Sequence, residues 1–466
     1  MSTQPTMTRR HFLFTSATVA TGALLAACAA PAAAPASQAG ETSGAAAELI
    51  ELTLMEPDRE LSNQVRAITL ERFNAQMEAD GKPWRVVDTV GPATDNDLRT
   101  KLTLDAAAGT LPDLFNMHSS WVADFAAAGY LLDMGPYLEQ WADWDKIYDV
   151  LKPLATYDGM IVGIPGGTTF TWYYRKDVLE GAGIPIDQPQ TWEDFYAVCD
   201  QIKTQTDAVP CGLPGATPWG GGTWAEGFRM VWLSFDGTIF DEADGKWVVS
   251  SPNLLKALQV YETLAQNEWL TVDELLTPNP WEPIKYQMFP EGTCALVTGG
   301  DWQWEFDWGP NGATPIEGLF ERVDRWQFPA EDGNAFTYVQ GSVGTGVSAN
   351  TETPDGCAEY ITFAASPDLN CDLLDIYVGG PSNRRDFAEL CPAYTEVVNG
   401  KMHQASQLFE TGRTYKFERV GTQRLADGIA RATEDIITGT LSAEEAMAAF
   451  ADTMIEALGE EMAKKA

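Results

Sequence analysis

Histidine and closely spaced cysteine are scarce in this chain of 466 residues, and their scarcity removes several kinds of chemistry. The sequence has three histidines, of which only His118 and His403 follow residue 27. None of the seven cysteines forms a C-x2-C pair, so the close Cys/His spacing of a zinc site is missing. We therefore expect no metal, no cofactor and no histidine-based catalysis.

Signature motifs of hydrolases and nucleotide-binding proteins are absent as well. The chain contains no G-x-S-x-G, no H-E-x-x-H and no P-loop lysine motif. Glycosidases use two carboxylates about 5 to 10 Å apart, and the acidic residues here are so numerous that no pair is distinctive. An exported glycoside hydrolase stays open as an alternative, although we expect no catalytic residue and no enzyme.

Positive charge is in short supply. Lys and Arg number 30 against 67 Asp and Glu, which gives a formal net charge of -37. Such a polyanion repels phosphate backbones, so nucleic acids and anionic bilayer surfaces are poor candidate partners. An anionic ligand would need a local cluster of Lys or Arg.

The only long apolar run lies near the N terminus, from Phe12 to Ala27. It follows Arg9-Arg10, and about sixteen residues rich in Ala and Thr are too short for a membrane span of ~20 residues. A basic start, a short apolar run and small residues are typical of an export signal, and paired arginines indicate the twin-arginine route. The ending Leu-Ala-Ala-Cys resembles the lipobox of bacterial lipoproteins, which implies a signal peptide over residues 1–27 and a lipid on Cys28; a plain transmembrane anchor is the alternative.

Residues 28–47 are rich in Ala, Pro, Ser and Gly and predict a flexible tether. Beyond Cys28 the chain has an even number of cysteines, which permits up to three disulfides in an exported protein without fixing their pairing. Short loops favour Cys199 with Cys211 and Cys357 with Cys371. The remaining two are Cys294 and Cys391.

Apolar periodicity after residue 47 predicts strands alternating with helices. The strands are expected at 48–55, 84–90 and 111–115, and the helices at 63–79, 98–108 and 121–128. This alternation favours parallel βαβ units and an α/β sheet. A final amphipathic helix is expected over Leu441 to Leu458, with Ser442 as its N-cap.

Tryptophan is concentrated in the middle of the chain. Twelve of the sixteen tryptophans lie between Trp172 and Trp326, among Gly and Pro clusters such as residues 218–224. This concentration of tryptophan among glycine and proline predicts a second domain whose loops present aromatic faces.

Seven groups of short segments, in order along the chain, resemble the extracellular solute-binding proteins of ABC importers, and the carbohydrate-binding family within them. They cover nearly the whole chain after residue 47. The groups are 98–102 with 108–114, 129–134, 157–159 with 163–165, 172–177 with Gly183, 190–195, 289–296 with 299–302, and 439–446.

The resemblance implies an α/β fold of the periplasmic-binding-protein-like type II class, with two α/β lobes joined by a hinge that the chain crosses several times. Ligand would sit between lobes that close around it. An ABC permease would be the partner of this monomer, which the lipid on Cys28 would hold at the extracytoplasmic side of the cell membrane. Lobe 1 would take residues 48–169 plus 337–378, lobe 2 residues 170–336 plus 379–466, and the crossings would lie near 168–174, 339–347 and 379–383.

A sugar offers apolar C–H faces and a rim of hydroxyls, so its recognition needs aromatic planes and short polar side chains. A glycine allows close backbone approach and a guanidinium can fork two hydroxyls. The residues that match both this chemistry and the family positions are Ser120, Trp121, Trp172, Tyr173, Trp219, Trp224, Asp301, Trp302, Gly379, Gly380 and Arg384.

Core packing is the competing interpretation for these aromatic residues, and for some others it is the one we favour. Trp192 stands in a helix-capping motif and is expected in the core. The alternation over 301–308 predicts an extended segment with one aromatic face, in which only Trp302 matches a family position. Trp304, Phe306 and Trp308 are therefore expected in the core.

Other ligands remain open for the same fold: a polyamine, a peptide or a phosphorylated polyol. A polyamine suits the acidity of the chain. A phosphoester would require several cations, where the sequence offers mainly Arg384 and Arg385.

Overall fold

A computed structural model describes residues 49–117, 119–377, 380–416 and 419–466. They belong to one compact unit, Glu48–Ala466. Cys28, with the predicted signal peptide and tether, lies outside the described residues, as do His118 and Gly379.

Strands of very different length make up four sheets in the described ranges. They are β1 Ile50–Met55, β2 Trp84–Asp88, β3 Leu114–Asn116, β4 Thr156–Tyr157, β5 Met160–Ile161, β6 Pro165–Arg175, β7 Val209–Gly212, β8 Phe240–Asp241, β9 Lys246–Ser250, β10 Cys294–Gly300, β11 Val323–Trp326, β12 Tyr338–Val343, β13 Thr345–Val347, β14 Arg413–Thr414 and β15 Ala463–Lys465.

The α-helices range from single turns to the long α1. They are α1 Glu60–Ala79, α2 Asp95–Ala108, α3 Ser119–Ala127, α4 Gly135–Leu138, α5 Lys176–Gly181, α6 Trp192–Gln205, α7 Arg229–Leu233, α8 Pro252–Gln266, α9 Val272–Leu275, α10 Trp281–Pro283, α11 Phe289–Glu291, α12 Leu319–Arg322, α13 Pro354–Ala364, α14 Pro367–Asp372, α15 Phe387–Leu390, α16 Lys401–Gln407, α17 Thr422–Ile437 and α18 Ala443–Leu458.

Tighter and wider helical turns connect these elements. The 3-10 helices are Trp144–Lys146, Lys152–Ala155, Thr217–Trp219, Asp301–Trp304, Pro392–Thr395, Val397–Gly400 and Leu408–Glu410, and the π-helices are Thr223–Phe228 and Ile284–Met288. None of the helices in the described ranges is both long and apolar enough to cross a bilayer.

The first sheet has the order β13-β3-β1-β2, with β1 parallel to both β2 and β3. Helices α1 and α2 connect these strands, so the predicted βαβ pattern is confirmed. Phe73 of α1 and Tyr360 of α13 pack on one face of the sheet, and Leu98 of α2 and Phe125 of α3 pack on the other. Burial on both faces explains why the strands are short apolar runs.

The second sheet is built around β6, which pairs with β10, β11 and β12. Successive side chains of a strand point to opposite faces, and helices and loops cover both faces here. Trp172 and Tyr173 are consequently both fully buried, although they are neighbours in the chain.

The two sheets are connected at three places, and one of them differs from expectation. Strand β6 already belongs to the second sheet from Pro165, so the first crossing precedes the predicted segment 168–174. The second crossing lies at Gly344, between β12 and β13, inside the predicted segment 339–347. Near the third, Asn383 donates a hydrogen bond to the Pro165 carbonyl at 2.7 Å.

Helix caps follow the sequence closely. Thr191 and Asp194 form a capping box at α6, and Trp192 is buried as expected. Ser442 and Glu445 form another at α18, which confirms the predicted N-cap and final helix.

Both predicted disulfide pairings are wrong. Cys371 is bonded to Cys391, whereas Cys199, Cys211 and Cys357 are free and buried. The chain reverses after α14, which brings α15 against α14 and places the two bonded cysteines together. Loop length alone does not anticipate such a reversal.

Candidate ligand-binding site

One cavity of about 310 Å³ combines aromatic rings with charged groups, and we call it the tryptophan cavity. All of its walls come from the segment between β7 and β11. It is lined by Trp219, Gly222, Glu226, Trp281, Lys285, Tyr286, Trp302 and Asp307.

The glycines around Trp219 determine where its ring lies. Trp219 ends a 3-10 helix, and Gly220 then adopts φ 60° and ψ -135°, a conformation that side chains rarely permit. A Cβ atom on Gly222 would lie 2.2 Å from Cδ1 of Trp219. The indole therefore lies directly on the backbone of Gly222, with one side left toward the cavity.

Trp302 is likewise positioned by packing on the backbone of a glycine. A Cβ atom on Gly300 would lie 1.9 Å from Cζ3 of Trp302. The ring meets Phe170 edge to face at 5.4 Å and is half-buried, so part of it faces the cavity. Trp281 completes the aromatic wall, with its ring 6.4 Å from that of Trp219 at 68°.

Both π-helices contribute polar groups to this cavity. The first carries Glu226, and the second carries Lys285 and Tyr286. π-Helical turns are rare in proteins, and those that occur are often found at functional sites. Lys285 Nζ lies 2.6 Å from Glu226 Oε2 and 5.5 Å from the centre of the Trp219 ring, so this buried cation is paired twice.

Among the charged groups of the cavity, Asp307 has the weakest hydrogen bonding and no close ion-pair partner in the described part of the chain. Its side chain is 5% exposed, and Tyr286 donates a long hydrogen bond of 3.4 Å to Oδ1. Burial raises the pKa of Asp307 to about 6, although the neighbouring Lys285 acts to lower it.

A second cavity, of about 390 Å³, lies at the three crossings, and we call it the hinge cavity. Its wall includes Gly166 from the first crossing, Gly344 from the second, and Gly380 and Arg384 from the third. Arg384 does not offer its guanidinium to a ligand as expected, because Nε binds Asp386 at 3.0 Å and Nη1 binds Asp143 at 2.6 Å.

Tyr377 approaches the loop that carries Asp307. The ring of Phe306 lies 5.7 Å from that of Tyr377, which follows Leu374 of the hinge cavity. Burial raises the pKa of the Tyr377 hydroxyl, with Glu305 and Glu56 adding to the effect.

The structure divides the predicted site residues into three groups. Two line the tryptophan cavity, two line the hinge cavity and five are buried elsewhere; the Ser120 side chain and Gly379 lie outside the described part. Trp219 and Trp302 line the tryptophan cavity, and Gly380 and Arg384 line the hinge cavity. The residues buried elsewhere are Trp121, Trp172, Tyr173, Trp224 and Asp301.

Trp172 and Tyr173 are not part of the candidate site, because both are enclosed in the core. Trp172 is fully buried, and its ring centre lies 4.7 Å from that of Phe195. Tyr173 donates to the Gly300 carbonyl at 2.7 Å and meets Trp304 edge to face at 5.3 Å. Trp121 belongs to the first-sheet core and Trp224 packs near Trp232.

Asp301 has a structural role in place of the expected ligand contact. It accepts hydrogen bonds from the Thr169 backbone at 2.6 Å and hydroxyl at 2.7 Å, and Arg325 lies 3.5 Å away. Burial raises the pKa of this carboxyl, and Arg325 opposes the rise. Asp301 thus fixes β6 to the turn that presents Trp302.

The extended segment predicted over 301–308 is wrong. The chain instead forms the 3-10 helix Asp301–Trp304 followed by turns, since Asp301 draws it back toward β6. Trp304 and Trp308 are nevertheless buried as predicted, and Phe306 is half-buried.

Sequence reasoning missed six members of the tryptophan cavity. They are Gly222, Glu226, Trp281, Lys285, Tyr286 and Asp307. One signal was available: Lys285 is a cation in an aromatic segment of a strongly acidic chain. Its partner Glu226 lies 59 residues away, and no local pattern connects the two. Among the described residues, no group of three or more His, Cys, Asp or Glu is arranged to hold a metal ion.

Comparison with known proteins identifies relatives of this fold. The arabinooligosaccharide-binding protein of Halalkalibacterium halodurans is 24% identical over 294 residues, which are 62% of this chain and 61% of that protein. The sugar-binding protein MalE of Xanthomonas citri is 20% identical, with a TM-score of 0.70 over 87% of this chain and 97% of that one. The GacH receptor of Streptomyces glaucescens is 18% identical, with a TM-score of 0.69 over 88% and 98%.

The chain thus spans about three fifths of the length of the first of these relatives. The solved structures are matched along nearly their whole length, and they show a maltose-binding-protein-like fold of mixed α/β type. The family model described as bacterial extracellular solute-binding protein matches residues 70–390. That match covers more than half of the chain, and the chain therefore belongs to the bacterial extracellular solute-binding protein family.

Proposed function

We propose that this protein is the extracytoplasmic substrate-binding component of an ABC importer, which captures a sugar or oligosaccharide between two lobes and delivers it to a membrane permease. The observation that carries the proposal is the convergence of Trp219, Trp281 and Trp302 with charged side chains in one cavity. Tryptophan faces stack on the C–H faces of a sugar, and carboxylates, an ammonium and a phenol suit its hydroxyls.

The names of several relatives point to the same class of ligand. One is an arabinooligosaccharide-binding protein, another a probable sugar-binding periplasmic protein of Mesorhizobium japonicum, and the GacH structures include a complex with acarbose. These ligands belong to those proteins, and they support a carbohydrate here without identifying it.

Calorimetry with a panel of mono- and oligosaccharides tests the proposal. Trp219→Ala and Trp302→Ala are expected to weaken binding by about 1 to 3 kcal/mol each, as for loss of an aromatic anchor. Trp141→Ala is the matched control, because Trp141 is half-buried in the first lobe outside both cavities. Unchanged affinity in both cavity variants, or no saccharide binding at all, would refute the proposal.

We also propose that the protein binds its ligand without turnover. Incubation of the purified protein with the oligosaccharide that binds should leave the ligand intact. Stoichiometric thermal stabilisation is expected instead, since a ligand that binds only the folded state raises its stability. Released shorter sugars would favour a hydrolase.

Membrane attachment through a lipid on Cys28, as a monomer, completes the proposal. Cys28→Ser should release the mature protein from the membrane fraction, and sedimentation of the released protein should give the mass of one chain. Membrane retention of the variant would refute the lipid anchor, because one acyl-bearing cysteine is the only attachment that the proposal provides.

A further inference from the structure

The charges of the tryptophan cavity do not balance. Glu226 and Lys285 form a close pair at 2.6 Å, and the Lys285 side chain is 3% exposed. These two charges therefore satisfy each other, and Lys285 has its second contact with the Trp219 ring. The carboxylate of Asp307 is left over.

Asp307 has little compensation inside the protein. Its side chain is more than nine-tenths buried and accepts one long hydrogen bond of 3.4 Å, from Tyr286. Within the described ranges, no Lys or Arg nitrogen lies within 4 Å of this carboxylate. A buried charge without a close partner is costly, so a carboxylate kept in a ligand cavity needs a donor from the ligand.

The aromatic wall favours a cation as that donor. The negative face of a tryptophan ring attracts an ammonium, most strongly where water is excluded. Trp281 and Trp302 line the same cavity as Asp307. The net charge of -37 also draws cations toward the protein and repels anions.

From these observations we infer that the ligand is an amino sugar, whose protonated amine is held by Asp307 against the tryptophan rings. The inference rests on the proposed function and narrows its substrate class. A neutral sugar hydroxyl could also donate to Asp307, but it would leave the negative charge of the cavity uncompensated.

The inference carries a pH dependence that neutral sugars lack. Asp307 must be ionised, and its carboxyl is faced by Lys285 and Glu226 from the two π-helices and by the Tyr286 hydroxyl. Burial raises the pKa of Asp307 to about 6, so acidification below that value neutralises the carboxylate. Affinity for the protonated form of the amine should therefore fall as the pH drops from 7 to 5, once the titration of the amine itself is allowed for.

The test compares two oligosaccharide series that differ mainly at one position. β-1,4-linked glucosamine oligosaccharides carry an amine at C2, and cello-oligosaccharides of the same length carry a hydroxyl there. The native protein is expected to bind the amino series at least tenfold more tightly at pH 7, with the preference declining toward pH 5. Calorimetry measures both affinities, and spermidine is titrated as a third probe.

Three variants separate charge from shape. Asp307→Asn should bring the ratio of the two affinities close to one, and Asp307→Glu should restore much of the preference. Asp200→Asn removes an exposed carboxylate from α6 and should leave the ratio unchanged. Thermal unfolding of each variant confirms that it is folded before its affinities are compared.

The outcomes distinguish this inference from the proposed function. Equal affinity for the two series, or tighter binding of the neutral one, overturns the amino sugar and leaves sugar binding intact. Binding of spermidine with no saccharide bound overturns both. A preference for the amino series that survives in Asp307→Asn also overturns the inference, because the selectivity would then come from another group.

Discussion

At the scale of single residues, glycine and tryptophan act as pairs in this protein. The ring of Trp219 covers Gly222 and the ring of Trp302 covers Gly300, at distances that leave no room for a Cβ atom. The sequence pattern of tryptophans among glycines thus has a physical meaning, because a glycine without a side chain lets an indole ring pack directly on the backbone. The same pattern singled out these two tryptophans in the sequence, and the structure places both at the tryptophan cavity.

Gly222→Ala should therefore displace Trp219 and weaken ligand binding by roughly 1 to 3 kcal/mol, the range for loss of an aromatic anchor, while the fold persists. Gly221→Ala is the neighbouring control, since a Cβ atom there meets nothing within 4 Å. Calorimetry and the tryptophan fluorescence spectrum report the two effects. Equal affinity in the two variants would show that the ring does not depend on Gly222.

The buried carboxyl of Asp307 should reduce stability at neutral pH. Its pKa is about 6 in the folded protein against an ordinary 3.8, so the folded state holds its proton more tightly than the unfolded state. The cost is absent below pH 3.8 and complete above pH 6, where it amounts to about 3 kcal/mol at most.

Asp307→Asn is consequently expected to raise the unfolding temperature by a few degrees at pH 7 in the absence of ligand, and hardly at all at pH 4. Differential scanning calorimetry at the two pH values measures this. The same gain at both values would mean that the effect comes from packing and not from the charge.

At the scale of secondary structure, apolar periodicity predicted the helices and strands of the first sheet well. It did not predict segments whose conformation depends on polar contacts with distant residues. The strands and helices of the first sheet fall where the pattern predicts them, because burial on one face or both dictates the spacing of apolar residues. The alternation after Gly300 was misleading, since the hydrogen bonds of Asp301 with Thr169 bend the chain into a 3-10 turn. That contact joins positions 132 residues apart, and no local pattern contains it.

The same limit explains why the structure separates several of the predicted site residues. A tyrosine-rich strand indicates aromatic rings but not which sheet face is solvent-exposed, and β6 has no exposed face at Trp172 or Tyr173. Lys285 and Glu226 come from two separate π-helices that are 59 positions apart in the sequence and meet at the cavity. Such long-range pairs require the three-dimensional structure.

Asp301→Ala tests the connection between β6 and the turn that carries Trp302. Removing a buried carboxylate that accepts from Thr169 leaves Arg325 without its partner, so a loss of about 3 to 5 kcal/mol in the free energy of unfolding is expected. Urea denaturation measures the loss. Asp452→Ala breaks the exposed pair of Asp452 on α18 with Lys465 on β15 and should cost no more than about 1 kcal/mol.

At the scale of the whole molecule, the single disulfide seen in the described residues joins elements on either side of the third crossing. Cys371 belongs to α14, which packs on α13 of the first sheet, and Cys391 is buried in the core of the second sheet. The bond closes a loop of 20 residues that contains Gly380 and Arg384 of the hinge cavity. It therefore restrains the part of the chain that must bend if the lobes close by a hinge.

Replacing both Cys371 and Cys391 with Ser should lower the free energy of unfolding by about 3 kcal/mol, the amount expected for a loop of this size. Ligand binding should persist, because export by the twin-arginine route, which Arg9-Arg10 predicts, would require the protein to reach its native state before the bond forms. The control is internal: dithiothreitol should lower the unfolding temperature of the native protein and leave that of the double variant unchanged, since the other four cysteines of the folded part are free thiols. A reduced protein that folds but no longer binds ligand would show instead that the bond holds the hinge in its binding-competent geometry, and would contradict export of a finished binding site.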